Sequence, residues 1–190
     1  MLNRGTFEKM FEAARLCRER ALDIPMLVLI YTTIDTLAWA IYGDSIREVK
    51  RRFVAVCDDY VLREASFGCT ALELYAARCS VLHSLGWESE LSKAGKARAI
   101  YYSFGTDDPA LYQQAIELSH PGQFLAVRAD DLLTATEKAV ASVSEAAKSD
   151  SALKERLDRA EGKQYRTLES KSSDAMFARY IEMAKNGGRT

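Results

Sequence analysis

Three residues of this chain have types that do chemistry, and they stand where charge is expensive. Arg78 falls in the middle of an apolar stripe formed, at roughly 100° per residue, by Ala71, Leu74, Tyr75, Val81, Leu82 and Leu85. His83, one of two histidines in the chain, lies at the edge of that stripe. Asp35 holds a similar place in an earlier segment, where Val28, Tyr31, Ala38, Trp39 and Tyr42 all lie within roughly 60° of it on a helical wheel. An unpaired charge in an interior is very costly, so these positions demand an explanation. One reading is an Asp35–Arg78 ion pair that only fixes helix register, with His83 an ordinary half-buried residue. The other is a functional site, in which an imidazole that titrates near neutral pH lies a turn from a fixed cation.

The elements that must position these residues are legible locally. Thr70 to Gly86 reads as one helix, opened by a Thr70/Glu73 capping box and closed by Gly86 as the left-handed residue past its end. Ile24 to Tyr42 is largely apolar, with Pro25 in its first turn and Gly43 at its stop. Asp35 at its centre, with Thr32, Thr33 and Thr36 around it, opposes a membrane span, because a central Asp costs about 2.5–3.5 kcal/mol on insertion scales. This segment is expected to be the central helix of a bundle. An amphipathic helix from about Thr6 to Leu22 (Phe7, Met10, Phe11, Ala14, Cys17, Ala21) precedes it. A further helix, capped by Asp44 or Ser45, runs to about Leu62 and displays Arg47, Lys50, Arg51 and Arg52.

After Gly86 the pattern changes. Trp87 to Lys96 is polar and irregular, with room for one helical turn. Ala97 to Phe104 reads as a strand, Asp107 or Asp108 with Pro109 starts a short helix to about Ser119, and His120-Pro121-Gly122 is a turn. Gln123 to Arg128 then pairs with the first strand. From Asp130 to about Lys148 a long helix buries Leu132, Leu133, Ala135, Thr136, Ala139, Val140 and Val143. The expected organisation is a mainly α bundle over residues 1–149, with a small two-stranded insertion at about 97–128. A polar tail follows over 150–190, with weak helices at 152–160 and 174–185. The second shows Met176, Phe177, Tyr180 and Ile181 on one face, and Asn186 to Thr190 is expected to fray.

Composition narrows the partners. A net charge of −1 and a pI near 6.2 give no global pull toward nucleic acid, so any such contact is local. The four cysteines (Cys17, Cys57, Cys69, Cys79) show no CxxC pair or metal spacing and read as cytosolic thiols. The start of the chain lacks the apolar region of a secretory signal. A cytoplasmic protein without membrane attachment is expected. No phosphate-binding Gly-rich loop, H-E-x-x-H or GxSxG motif is present, and no cofactor or metal is expected.

The segment LYAARCSVLHSLG resembles the Arg-x4-His motif of the HEPN superfamily, with Arg78 and His83 at the two motif positions. The apolar helix with an internal acid, LIYTTIDTLAWAIYG, is similar to the acidic helix of many such domains. The resemblance covers roughly Ile24 to Gly86 and, more loosely, the helix from Asp130. It implies an up-and-down helical bundle and a metal-independent RNA endonuclease that acts as a homodimer, in a toxin–antitoxin or defence setting with an antitoxin or other protein as partner. His83 would be the general acid or base, Arg78 the phosphate clamp, and Asp35 the carboxylate that holds one of them. Two positions depart from the pattern. Cys79 follows the motif Arg where active members often carry Asn, Asp or His, and Leu85 stands where some toxin members carry a modifiable Tyr. HEPN domains that only bind RNA or a nucleotide also exist, and a structural or interaction protein is the remaining alternative.

Cys79, Arg47, Lys50 and Arg51 are secondary candidates for substrate contact, the three cations only if they border the Arg78 cleft. Tyr101 and Tyr102 have rings that could stack on bases, though strand residues more often pack. His120 reads as a surface turn residue.

Overall fold

The computed structural model describes residues 4–65, 67–163 and 170–187. Its axis is α2 (Asp23–Tyr42), a largely apolar element with ten buried residues. Met26, Leu27, Ile30, Tyr31, Ile34, Leu37, Ala38 and Ile41 are all buried. Each large apolar side chain among them contributes about 1.5–3 kcal/mol when removed from water. Enclosure comes from α1 (Arg4–Glu19), α3 (Val49–Asp59), α4 (Ala71–Ser84), α7 (Ala129–Ser149) and α8 (Ser151–Gly162), all packed against α2. Length and composition make α2 a candidate membrane span, but here its neighbours are other helices of the chain.

The molecule is mainly helical with a small β insertion. Between α4 and α7 lie the single turn α5 (Glu90–Lys93), β1 (Ala99–Ser103), α6 (Pro109–Ser119) and β2 (Phe124–Arg128). The strands pair in parallel, from Ala99 beside Phe124 to Ser103 beside Arg128. A parallel pair needs a crossover, and α6 provides it. Asp108 caps α6 by accepting from the Ala110 N–H at 2.8 Å, with Pro109 in the first turn. Gln113 of α6 accepts from the Ala126 N–H at 2.7 Å and donates to the Phe124 carbonyl at 3.4 Å, which satisfies polar groups along β2. The unit docks through Ile100, Leu125 and Val127 in the core, and through a hydroxyl–hydroxyl bond between Tyr102 and Tyr31 of α2.

Several local expectations are corrected. Neither Asp44 nor Ser45 caps α3, which begins only at Val49 after Glu48. Both are engaged elsewhere: the Ser45 N–H and hydroxyl donate to the Tyr42 carbonyl, and the Asp44 carboxylate pairs with Arg159 of α8 at 3.2 Å. Arg47 therefore lies before the helix, and α3 ends at Asp59, with a 3-10 turn (Val61–Arg63) carrying the chain on. Gly43 does stop α2 as expected, and a Cβ there would lie 2.5 Å from the Trp39 carbonyl oxygen. At the end of α4 the left-handed residue is Leu85 (φ 51°), not Gly86, and Leu85 is exposed instead of lying on the stripe. In an L-residue that conformation costs roughly 1–2 kcal/mol. It turns the Gly86 N–H onto the Ser80 carbonyl at 3.2 Å. Ala21, expected on the first helix, lies beyond its end at φ 51° in the turn to α2 and is exposed.

The polar tail divides. Its first helix, α8, is capped by Asp150, which accepts from the Leu153 N–H at 2.9 Å, and it buries Leu153, Leu157 and Ala160 in the common core against α2 and α7. It belongs to the bundle. The last helix, α9 (Ser170–Gly187), keeps Met176, Phe177, Tyr180, Ile181 and Met183 exposed. The expectation of fraying at the C-terminus falls on residues of which 188–190 lie outside the described ones.

One ion pair ties the insertion to α4. Arg98 donates from Nε to Glu73 Oε1 at 2.6 Å and from Nη2 to Oε2 at 3.1 Å, while Glu73 completes the capping box with Thr70. Burial opposes the ionised form of Glu73, but the hydrogen bonds and charge of Arg98 and the Thr70 cap outweigh it and hold the carboxyl below its usual range. Such a group adds stability that is complete above the ordinary glutamate value of about 4.3 and is lost as pH falls through it toward the lowered folded value. Glu73→Gln is therefore expected to reduce the unfolding free energy near neutral pH by about 1–3 kcal/mol. It is also expected to remove part of the stability loss below about pH 4.3. Urea denaturation across the acid range checks both.

Candidate functional site

Asp35, Arg78 and His83 come together where α2 and α4 pack. Asp35 lies midway along α2, so its carboxylate has little solvent to turn to; its side chain is 19 % exposed and that of Arg78 14 %. Asp35 Oδ2 accepts a hydrogen bond from Arg78 Nε at 2.7 Å and lies 2.5 Å from Nη2 in the same ion pair. The third nitrogen of the fork, Nη1, lies 3.2 Å from His83 Nε2. The i, i+5 spacing places these residues about 7.5 Å apart along the helix axis. The long Arg side chain spans that rise because helical side chains lean toward the N-terminus, which brings the His83 ring back over Arg78.

This geometry sets the tautomer. A guanidinium only donates, so His83 Nε2 accepts, and the proton of the neutral ring is on Nδ1. Nδ1 has no partner among the described residues, and His83 is exposed. Burial works against the charged form of Arg78, but the hydrogen bonds and charge of Asp35, with a smaller contribution from Cys79, more than offset it and raise the guanidinium above its ordinary value. Arg78 is thus a permanent cation whose fork is oriented by Asp35 on one side and borders an exposed imidazole on the other. Asp35 Oδ1 is buried with no hydrogen-bond partner among the described residues.

Cys79 packs between this fork and Tyr75. Burial and the neighbouring Cys79 push the Tyr75 hydroxyl up to about 12. The ring of Tyr75 lies edge-on to Phe53 of α3 at 5.6 Å, so the back of the site is hydrophobic. All four cysteines are free thiols. Among the described residues no group of His, Cys, Asp and Glu side chains is placed to hold a metal ion.

The expected basic face lies only partly in solvent. Arg47 and Arg51 are exposed and Lys50 is half-buried. Among the described residues, no hydrogen bond or ion pair links their side chains to Asp35, Arg78 or His83. Arg52, expected on the exposed side, is half-buried, donates to the Arg47 carbonyl at 3.4 Å and keeps its Nε buried. Tyr102 packs inward on Tyr31, whereas Tyr101 is exposed. His120 is exposed in its turn, its ring edge-on to Phe124. Sequence reasoning missed Trp87, which is half exposed just beyond α4. Its position directly after Gly86, where the sequence suggested the end of the motif helix, was the available signal.

Removing one partner of the ion pair strands the other. Asp35→Ala is expected to cost about 2–3 kcal/mol, below the roughly 3–5 of a fully buried pair because both side chains keep some solvent contact. The double variant Asp35→Ala/Arg78→Met is expected to lose less than the sum of the single variants. A double-mutant cycle by urea denaturation measures that coupling.

Compared with known proteins, the chain matches no family model, no curated protein and no solved structure.

Proposed function

We propose that the chain is a metal-independent endoribonuclease of the HEPN type, acting as a homodimer with Arg78 and His83 at the cleavage site. The observation that carries this reading is the chain of contacts Asp35–Arg78–His83, which ends on an exposed imidazole. A guanidinium aimed by a carboxylate suits a phosphate, whose oxygens match its fork. When a phosphate takes Arg78 Nη1, it takes the donor that now occupies His83 Nε2. Engagement of the phosphate therefore frees the basic nitrogen beside the bond to be cleaved. His83 then takes the proton of the ribose 2′-OH, whose oxygen attacks the adjacent phosphorus, while Arg78 stabilises the negative charge that builds on the phosphoryl oxygens. The 5′-oxygen leaves with a proton from a second acid, for which a two-fold dimer supplies a second copy of His83. The products are a 2′,3′-cyclic phosphate and a 5′-hydroxyl end. Such an activity fits a toxin or defence protein restrained by a protein partner.

A second reading, a module that binds RNA or a nucleotide without cleaving it, is favoured by Cys79. A thiol is a weak hydrogen-bonding group at a position where active relatives of the motif often carry a polar side chain. Under that reading nucleotides raise the melting temperature while RNA stays intact.

The test is cleavage of a mixed RNA substrate in excess chelator. His83→Ala is expected to lower the rate by roughly 10²–10⁴-fold, and Arg78→Ala by roughly 10²–10³-fold. Arg78→Lys, which keeps the charge on Asp35, controls for folding, and circular dichroism and sedimentation check fold and dimerisation. Equal cleavage by all of the variants and the wild type would mean that the activity is a contaminant and the nuclease reading is wrong.

A further inference from the structure

A second feature lies where the chain leaves α4. The rings of Trp87 and Tyr101 are stacked, 13° from parallel with centroids 6.3 Å apart, yet Trp87 stays 50 % exposed and Tyr101 40 %. Both rest on Phe124, which is buried, at 5.5 Å and 5.1 Å, and the His120 ring stands perpendicular to Phe124 at 5.3 Å. Tyr101 and Phe124 come from the paired strands and Trp87 from the loop after Leu85, so the strand pair is the bed on which Trp87 rests. Beside them opens a cavity of about 530 Å³ that Trp87 and Phe124 share with Glu88, Lys96, Arg98 and Gln123. Arg98 is neutralised by Glu73. Lys96 is exposed and has no ion-pair partner among the described residues.

Two flat apolar rings held in solvent, next to a groove with a free ammonium group, match an unpaired nucleotide: a base has a π-face to stack and a phosphate to neutralise. A protein partner fits less well, because the groove beside the rings is lined largely by charged and polar groups. Trp87 follows His83 by four residues, which keeps their Cα atoms within about 14 Å of each other. That is four steps or fewer of a stacked strand at about 3.4 Å per base.

We infer that the Trp87–Tyr101 stack, with Lys96, is a base-stacking subsite for single-stranded RNA, which seats a nucleotide a few positions from the phosphate held by Arg78. This rests on the ribonuclease reading for its substrate, and it adds a preference for unpaired RNA, since bases in a duplex have no free face to offer.

The test separates the two. Binding of a 2′-O-methyl adenosine octamer, which lacks the attacking hydroxyl, is followed by tryptophan fluorescence and filter binding, with a matched duplex and an abasic phosphate backbone as comparisons. Cleavage of ordinary RNA in chelator is measured alongside. The single strand is expected to quench the fluorescence of the full chain. Trp87→Leu and Tyr101→Leu are each expected to weaken its binding by roughly 5- to 100-fold, Trp87→Tyr to restore most of it, and the abasic backbone to bind all of the variants alike. Unchanged octamer affinity in both leucine variants, with melting curves showing them folded, overturns the subsite. If cleavage nevertheless persists, the nuclease reading survives alone. Stacking without cleavage upholds the subsite and ends the nuclease reading. If Trp87→Leu instead splits a dimer into monomers at unchanged octamer affinity, the face is a contact between copies and the inference is wrong.

Discussion

The enclosure of α2 is the constraint on which the rest depends. A helix packed on by five others leaves a carboxylate at its middle little access to water, and Asp35, 19 % exposed, finds its cation within the fold. Arg78 is that cation, and its position on α4 follows from the same demand. The pair contributes little net stability against an apolar alternative. What it does is hold α2 and α4 in one register and point a guanidinium along α4 toward His83. An apolar pair would keep the packing and lose the orientation.

The β insertion is coupled to the same helix at its other end. Glu73 sits in the first turn of α4, where it closes the capping box and also accepts both arms of Arg98. One carboxylate thus accepts the Thr70 N–H at the head of α4 and anchors β1. The insertion in turn brings Tyr101 and Phe124 under Trp87, just past the C-terminal end of α4. Polar clamps therefore act in the first turn and at the middle of one helix. Between them its apolar side chains give the ordinary burial energy of a bundle.

How much of this was legible in the sequence differs from residue to residue. The charges at Asp35 and Arg78 stood out because helical periodicity put them on apolar stripes. The Thr70/Glu73 and Asp108/Pro109 signals named helix starts correctly, because a cap is a contact between residues two or three apart. The same reasoning failed at Asp44 and Ser45, which have capping chemistry but spend it on α8 and on the end of α2. It placed a helix at α8, but a charged composition hid Leu153, Leu157 and Ala160, which bury it in the core, and it failed at Leu85, where a glycine one residue on drew the expected turn.

By itself the sequence determined the helical class, most element positions, the buried side of α7 and the presence of two charges that needed partners. Each of these follows from interactions within a few residues, which periodicity and caps express directly. Only the tertiary structure decided that Asp35 meets Arg78 across 43 residues, that the strands run parallel, that α8 completes the core, and that Trp87 stacks on Tyr101. Contacts between remote segments depend on how whole elements pack, and packing leaves no local pattern to read.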